Sequence, residues 1–136
     1  MTKSIPSIQK YMTTLPHSIG AEQKVDAAEK MMQEYRIRHL PVMKSGRLVG
    51  LLSDRDVKFV RGFASAHIET ATVEDIARED VYTVSPAASL SEVVEAMISK
   101  KLGSAVVMDN GKLVGIFTDI DAMKALDHLL HTRLTH

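Results

Sequence analysis

The chain has 136 residues, 45% hydrophobic and 25% charged, with 17 Lys+Arg against 17 Asp+Glu, a composition typical of globular domains. Zero cysteine excludes disulfides, thiolate metal sites and cysteine nucleophiles, and three Phe, three Tyr and no Trp argue against an aromatic platform for single-stranded nucleic acid. The neutral total hides an asymmetry: residues 1–64 carry 11 Lys+Arg against 6 Asp+Glu and residues 65–136 carry 6 against 11, which reads as a mutual electrostatic fit or as a division of labour at a shared site.

Taken in order, Ser7–Met12 reads as a short helical entry and Pro16–Gly20 as a turn into a very short strand. From Lys24 to Tyr35, Val25, Ala28, Met32 and Tyr35 recur at helical spacing, with Met31 widening the stripe, so an amphipathic helix ending near Arg36 is predicted. Leu40–Met43 and Arg47–Leu52 are strands joined by the turn Lys44-Ser45-Gly46, and Pro41 suits an edge or a strand start. Asp54–Gly62 is a second helix with Gly62 as its stop. Phe63–Thr72 has no sustained periodicity and reads as a connection.

The order then restarts. Val73–Ala77 matches Ile8–Met12, Thr83-Val84 matches Ser18-Ile19, and Ser89–Lys101 is a second amphipathic helix, with Ser89 and Glu92 spaced as a capping box. Ala105–Met108, the turn Asp109-Asn110-Gly111 and Lys112–Phe117 form a second hairpin, and a helix runs from Asp119 to about Leu130. An ungapped offset of 65 pairs Gly46 with Gly111, Gly50 with Gly115, Ser53 with Thr118, Asp54 with Asp119 and Asp56 with Asp121, so the chain is an internal repeat. The expected organisation is repeat 1 at residues 1–64 and repeat 2 at residues 65–136, in an α+β fold. Each repeat is β-α-β-β-α, a small sheet flanked by helices. At about 65 residues a lone domain hides only roughly 60% of its unfolded surface, so the repeats are expected to pack with pseudo-twofold symmetry.

The two strand-to-helix junctions, RLVGLLSDRD and KLVGIFTDID, carry the polar chemistry. Ser53-x-x-Asp56 and Thr118-x-x-Asp121 have capping-box spacing, and a helix cap alone accounts for either. A helix start also offers free amides and a positive dipole end suited to phosphate, while a carboxylate there accepts ribose hydroxyls.

The doubled apolar-Gly-apolar-apolar-Ser/Thr-x-x-Asp run, within this element order, resembles the CBS domain, and two tandem copies resemble a Bateman module over nearly the whole chain, Ile8 to Leu130. The resemblance implies that Asp56 and Asp121 bind ribose, with Ser53 and Thr118 near ribose or phosphate and Asp119 beside them. Adenine would pack along Ile19-Gly20-Ala21 in one site and along Val84-Ser85-Pro86, flanked by Thr83, in the other. Family members often carry phosphate-side cations just before the second strand; Arg38-His39 stand there in repeat 1 and Gly103-Ser104 in repeat 2, while the position before the motif Asp is Arg55 in one junction and Ile120 in the other. Related modules place both sites in one cleft between the repeats, so the expectation is a competent Asp121 site reached by Arg38, Arg55 and His39, and an Asp56 site that is weaker, empty or suited to an uncharged adenosyl group.

The implied function is a standalone regulatory sensor of an adenosine nucleotide that signals by conformation or assembly. AMP is expected ahead of ADP or ATP, because two or three cations are few for a triphosphate, with NAD and S-adenosylmethionine as further candidates. The alternative is a ligand-free dimerisation scaffold acting on a partner protein. A homodimer is expected, through helices whose Val57, Val60, Leu126 and Leu129 want cover. No required cofactor, metal site, catalytic residue, nucleic-acid partner or membrane association is expected: His128 and His131 lack further ligands, and no nucleophile arrangement or phosphate loop is readable. Without a signal-like N-terminus or an apolar span, the expected location is cytoplasmic, and the few residues outside Ile8–Leu130 predict no fused catalytic domain.

Overall fold

The computed structural model describes residues 4–63 and 69–133. Its elements are a 3-10 turn (Ile8–Lys10), β1 (Thr13–Thr14), β2 (Ile19–Gly20), α1 (Val25–Tyr35), β3 (His39–Lys44), β4 (Arg47–Ser53), α2 (Asp54–Phe63), α3 (Val73–Ile76), β5 (Thr83–Val84), α4 (Leu90–Lys100), β6 (Ser104–Asp109), β7 (Lys112–Thr118) and α5 (Asp119–Arg133). They form a three-stranded sheet, β2-β3-β4, and a four-stranded sheet, β1-β7-β6-β5. The α+β fold of two repeats is as expected.

The two hairpins are copies. Ser45-Gly46 and Asn110-Gly111 are two-residue loops with positive φ at every residue, the conformation that matches strand twist. Each ladder shifts register at the same repeat position, Val42/Met43 and Val107/Met108.

The chain packs into two compact units that cut across the sequence repeats: residues 17–81 form one, residues 1–16 with 82–136 the other. The lead-in of each repeat therefore completes the unit built by the body of the other. Ser7 bridges Ser89 and Lys24 bridges Thr72; Thr13 pairs with Ile116 and Arg78 with Leu51. Each of these pairings is the other displaced by 65 residues. Apolar burial holds the lead-ins in place. Val73, fully buried, sits in the core with Val25, Leu40, Leu52 and Val57, and Ile8, fully buried, sits in the core with Val93, Val107, Phe117 and Ala125.

Several local expectations differ. β3 is the central strand of its sheet, so Pro41 is not at an edge. It is tolerated because its opposite residue, Leu51, exchanges both backbone bonds with Arg78, leaving Pro41 in a non-hydrogen-bonded pair where β4 needs no N–H from it. α2 continues through Gly62 to Phe63, and of the connection expected at Phe63–Thr72, residues 64–68 lie outside the described residues. Ser89 forms no side-chain cap on α4; its hydroxyl meets that of Ser91 at 3.0 Å. The box expected with Glu92 is thus absent. Acid-to-amide capping occurs instead before α3, where the Thr72 N–H donates to the Asp75 carboxylate at 2.9 Å. Val57 is buried and Val60 and Leu129 pack on the cores, so they do not want cover. Among the described residues of these two helices, the large apolar side chains left exposed are Phe59 and Phe63 on α2 and Ile120, Met123, Leu126 and Leu130 on α5.

Candidate functional site: two strand-to-helix junctions

Each junction is built where a hairpin's second strand runs into a helix. In both, the first helical amide is tied to the residue before the hairpin: Asp54 N–H donates to Arg38 O at 2.9 Å and Asp119 N–H to Gly103 O at 3.1 Å. In both, the strand's last hydroxyl caps the helix. Ser53 Oγ accepts from Asp56 N–H at 3.1 Å and Thr118 Oγ1 from Asp121 N–H at 3.4 Å.

Beyond that the junctions part. Asp121, buried, folds back on its own cap, accepting the Thr118 N–H at 3.0 Å and its hydroxyl at 3.2 Å. The Thr13 hydroxyl, brought in on β1, donates to both Asp121 oxygens at 3.1 and 3.2 Å. Asp119 turns to the Ile120 amide at 2.9 Å. The first three amides of α5 are therefore all occupied by the protein, which removes the donors an anion would use.

Asp56 is held differently. Its Oδ2 is buried without a hydrogen-bond partner among the described residues, and its nearest cation is Arg78 Nε at 3.7 Å, an ion pair too long for a hydrogen bond. Arg78 occupies the repeat position of Thr13, so one position supplies a guanidinium to one carboxylate and a hydroxyl to the other. Asp54 pairs with Lys58 at 3.4 Å instead of with the next amide. An unsatisfied buried acceptor costs stability, and a ligand hydroxyl would remove that cost.

The remaining candidates divide by unit. Arg38, His39 and Arg55 belong to the unit of Asp56, with Arg38 and Arg55 exposed and His39 directly opposite Ser53 in the β3–β4 ladder. Ile19 and Ala21 are buried in that unit's core, whereas Gly20 between them is exposed. In the other unit, Val84 packs on the core, Thr83 is exposed, and Pro86 is half-buried with its carbonyl accepting from Gln9 N–H at 3.1 Å. An open groove of about 460 Å³ along the first turns of α2 is lined by Asp54, Arg55, Lys58 and Phe59. Sequence reasoning missed Thr13 and Arg78, although the 65-residue offset that aligns Met12 with Ala77 aligns these two next. Ser104, which the sequence marks only as the cation-free counterpart of His39, is buried opposite Thr118 with no partner for its hydroxyl among the described residues.

Among the described residues no group of His, Asp and Glu is placed to hold a metal, and no helix is long and apolar enough to cross a membrane.

Comparison with known proteins agrees with the repeat. The CBS domain family matches residues 7–61 and again residues 73–128. Hypoxic response protein 1 of Mycobacterium tuberculosis is 33% identical over 110 residues, covering 79% of this chain and 76% of that protein. The AcuB crystal structure from Vibrio cholerae superposes with a TM-score of 0.85 at 29% identity, covering 94% of this chain and 95% of that one. The crystal structure of CBSX2 in complex with AMP has a TM-score of 0.79 at 23% identity, covering 91% and 98%; at that identity it speaks to the fold.

Proposed function

The chain belongs to the CBS domain family, carrying two copies in tandem, and on that premise we propose that it is a non-catalytic regulatory module sensing an adenosine nucleotide, AMP foremost. The observation that carries the proposal is the Asp56 junction, where a buried carboxylate oxygen has no hydrogen-bond donor among the described residues and Arg78 stands 3.7 Å away. A ribose hydroxyl supplies the missing donor to Asp56, beside the Ser53 cap. Arg55, Arg78 and Arg38 in the same unit suit a phosphate, since guanidinium forks pair with phosphate oxygens. The exposed Gly20 backbone, with Ile19 and Ala21 fixed beneath it, lies on the strand assigned to adenine. The AMP bound to CBSX2 is a precedent from the same fold.

This order reverses the one expected from the sequence, in which Asp121 leads. The reversal rests on the spare acceptor and the three arginines sharing a unit, against an Asp121 already closed by Thr13 and Thr118. Asp121, Thr118, Asp119, Thr83, Val84 and Pro86 form the second site, and His39 lies beside the first.

The output is a change in conformation or assembly of a cytoplasmic homodimer, formed through the exposed apolar residues of α2 and α5. Light scattering of the purified chain tests the dimer, and a monomer at micromolar concentration contradicts it. Thermal shift with AMP, ADP, ATP, NAD and S-adenosylmethionine tests the sensor, because a ligand that binds only the folded state raises the melting point by mass action. A rise with AMP supports it. No rise with any of the five favours the scaffold reading, to which the closed Asp121 junction lends weight.

A further inference from the structure

We infer that Thr13 is an internal stand-in for a ligand hydroxyl, closing the Asp121 site in the empty protein and delaying its occupancy until after the Asp56 site. The inference rests on the nucleotide-sensing reading above. Thr13 Oγ1 donates to both oxygens of Asp121, the interaction a sugar hydroxyl makes with a carboxylate. Thr13 arrives on β1, which is only two residues long and pairs with β7 at Ile116 and Gly115. A side chain presented by so short an edge strand is easily displaced.

A second observation marks the junction as a ligand site. Ser104 is 3% exposed, and its hydroxyl has no hydrogen-bond partner among the described residues. It pairs directly with Thr118 across the β6–β7 ladder, so the two side chains rise from the same face of the sheet. A buried orphan hydroxyl costs stability in the absence of a partner, and its cross-strand neighbour Thr118 is the residue whose hydroxyl donates to Asp121. A diol that displaces Thr13 takes over Asp121 and gives Ser104 a partner. The other unit has no such latch, because Arg78 replaces Thr13 there and reaches Asp56 only at 3.7 Å.

The test is calorimetric titration of the full chain with AMP, and in parallel with S-adenosylmethionine, in the D56N background so that only the Asp121 site reports. Thr13→Val keeps the β-branched shape and removes the hydroxyl; Thr13→Ser keeps the hydroxyl. Tighter binding by about tenfold for Thr13→Val, with Thr13→Ser close to the parent, supports the latch. Equal or weaker binding for Thr13→Val overturns the latch and leaves the sensor reading intact. Absence of binding of both probes to every variant, and to the chain with Asp56 restored, overturns the latch and the sensor reading together.

Discussion

Arg78 Nε stands 3.7 Å from Asp56 Oδ2, and this contact ties the lead-in of the second repeat to the helix start of the first. Its repeat counterpart is a hydroxyl-to-carboxylate hydrogen bond, Thr13 to Asp121. At this repeat position one junction holds a guanidinium and the other a hydroxyl, which adds to the cation difference already set by Arg38 and Arg55 against Gly103 and Ile120. Arg78→Gln is expected to weaken AMP binding about tenfold, the scale of one charge-assisted contact. The unliganded protein changes in stability by less than about 1 kcal/mol, since the guanidinium is largely exposed. Calorimetry and chemical denaturation on the same variant separate the two effects.

Ile8→Ala is expected to destabilise the unit that contains residues 82–133, far away in sequence, by about 2–5 kcal/mol. Ile8 is fully buried in the core with Phe117 and Val107, whereas Val73 plays the matching part with Leu40 and Leu52. Hydrogen exchange makes the distinction. Ile8→Ala accelerates the Val106 amide, bonded to Tyr82 O at 3.0 Å, and Val73→Ala accelerates the Leu51 amide instead.

The two strand glycines respond unequally to alanine. A Cβ at Gly50 meets the Arg78 carbonyl oxygen at 2.9 Å and Ala77 Cβ at 3.2 Å, both fixed by the backbone; at Gly115 it meets the Met12 side chain. A methionine turns aside more readily than a carbonyl. Gly50→Ala is expected to cost about 1–3 kcal/mol and Gly115→Ala less, as read from denaturation midpoints. The reverse order would contradict the packing of the lead-ins.

Asp75 adds a pH dependence. The Thr72 amide holds its carboxyl below the ordinary carboxylate range, aided by the Thr72 side chain. Because the folded value is depressed, the stabilisation is fully present above the unfolded value of about 3.9 and fades as pH falls through the folded one. Asp75→Asn should therefore melt earlier than the parent at neutral pH, with the gap closing below about pH 4. A gap constant with pH would contradict this.

The repeat, the hairpins and the helices were legible in the residues because their signals are local: Asn-Gly at a two-residue loop, a 3.6-residue apolar stripe in Val25–Tyr35, and hydroxyl and carboxylate three apart at each junction. The doubled apolar-Gly-apolar-apolar-Ser/Thr-x-x-Asp motif, within the element order, carries the family resemblance. What periodicity does not carry is pairing at long range. Nothing near Ile8 shows that it packs with Phe117, and nothing near Arg78 shows that it faces Asp56. For the same reason Pro41 read as an edge or strand-start residue: its tolerance depends on Leu51 turning its backbone to Arg78. The Ser89–Glu92 box failed on chemistry of equal strength close by, the hydroxyl meeting Ser91 instead.

The central claim is that carboxylates at the strand-to-helix junctions accept the hydroxyls of an adenosine nucleotide, Asp56 before Asp121. Titration calorimetry with AMP on the parent, Asp56→Asn, Asp121→Asn and the double variant tests it most directly. The account predicts saturable binding to the parent, a loss of about tenfold or more for Asp56→Asn, a smaller loss for Asp121→Asn, and none detectable for the double variant. Undiminished binding by the double variant, or no binding by the parent, would contradict it.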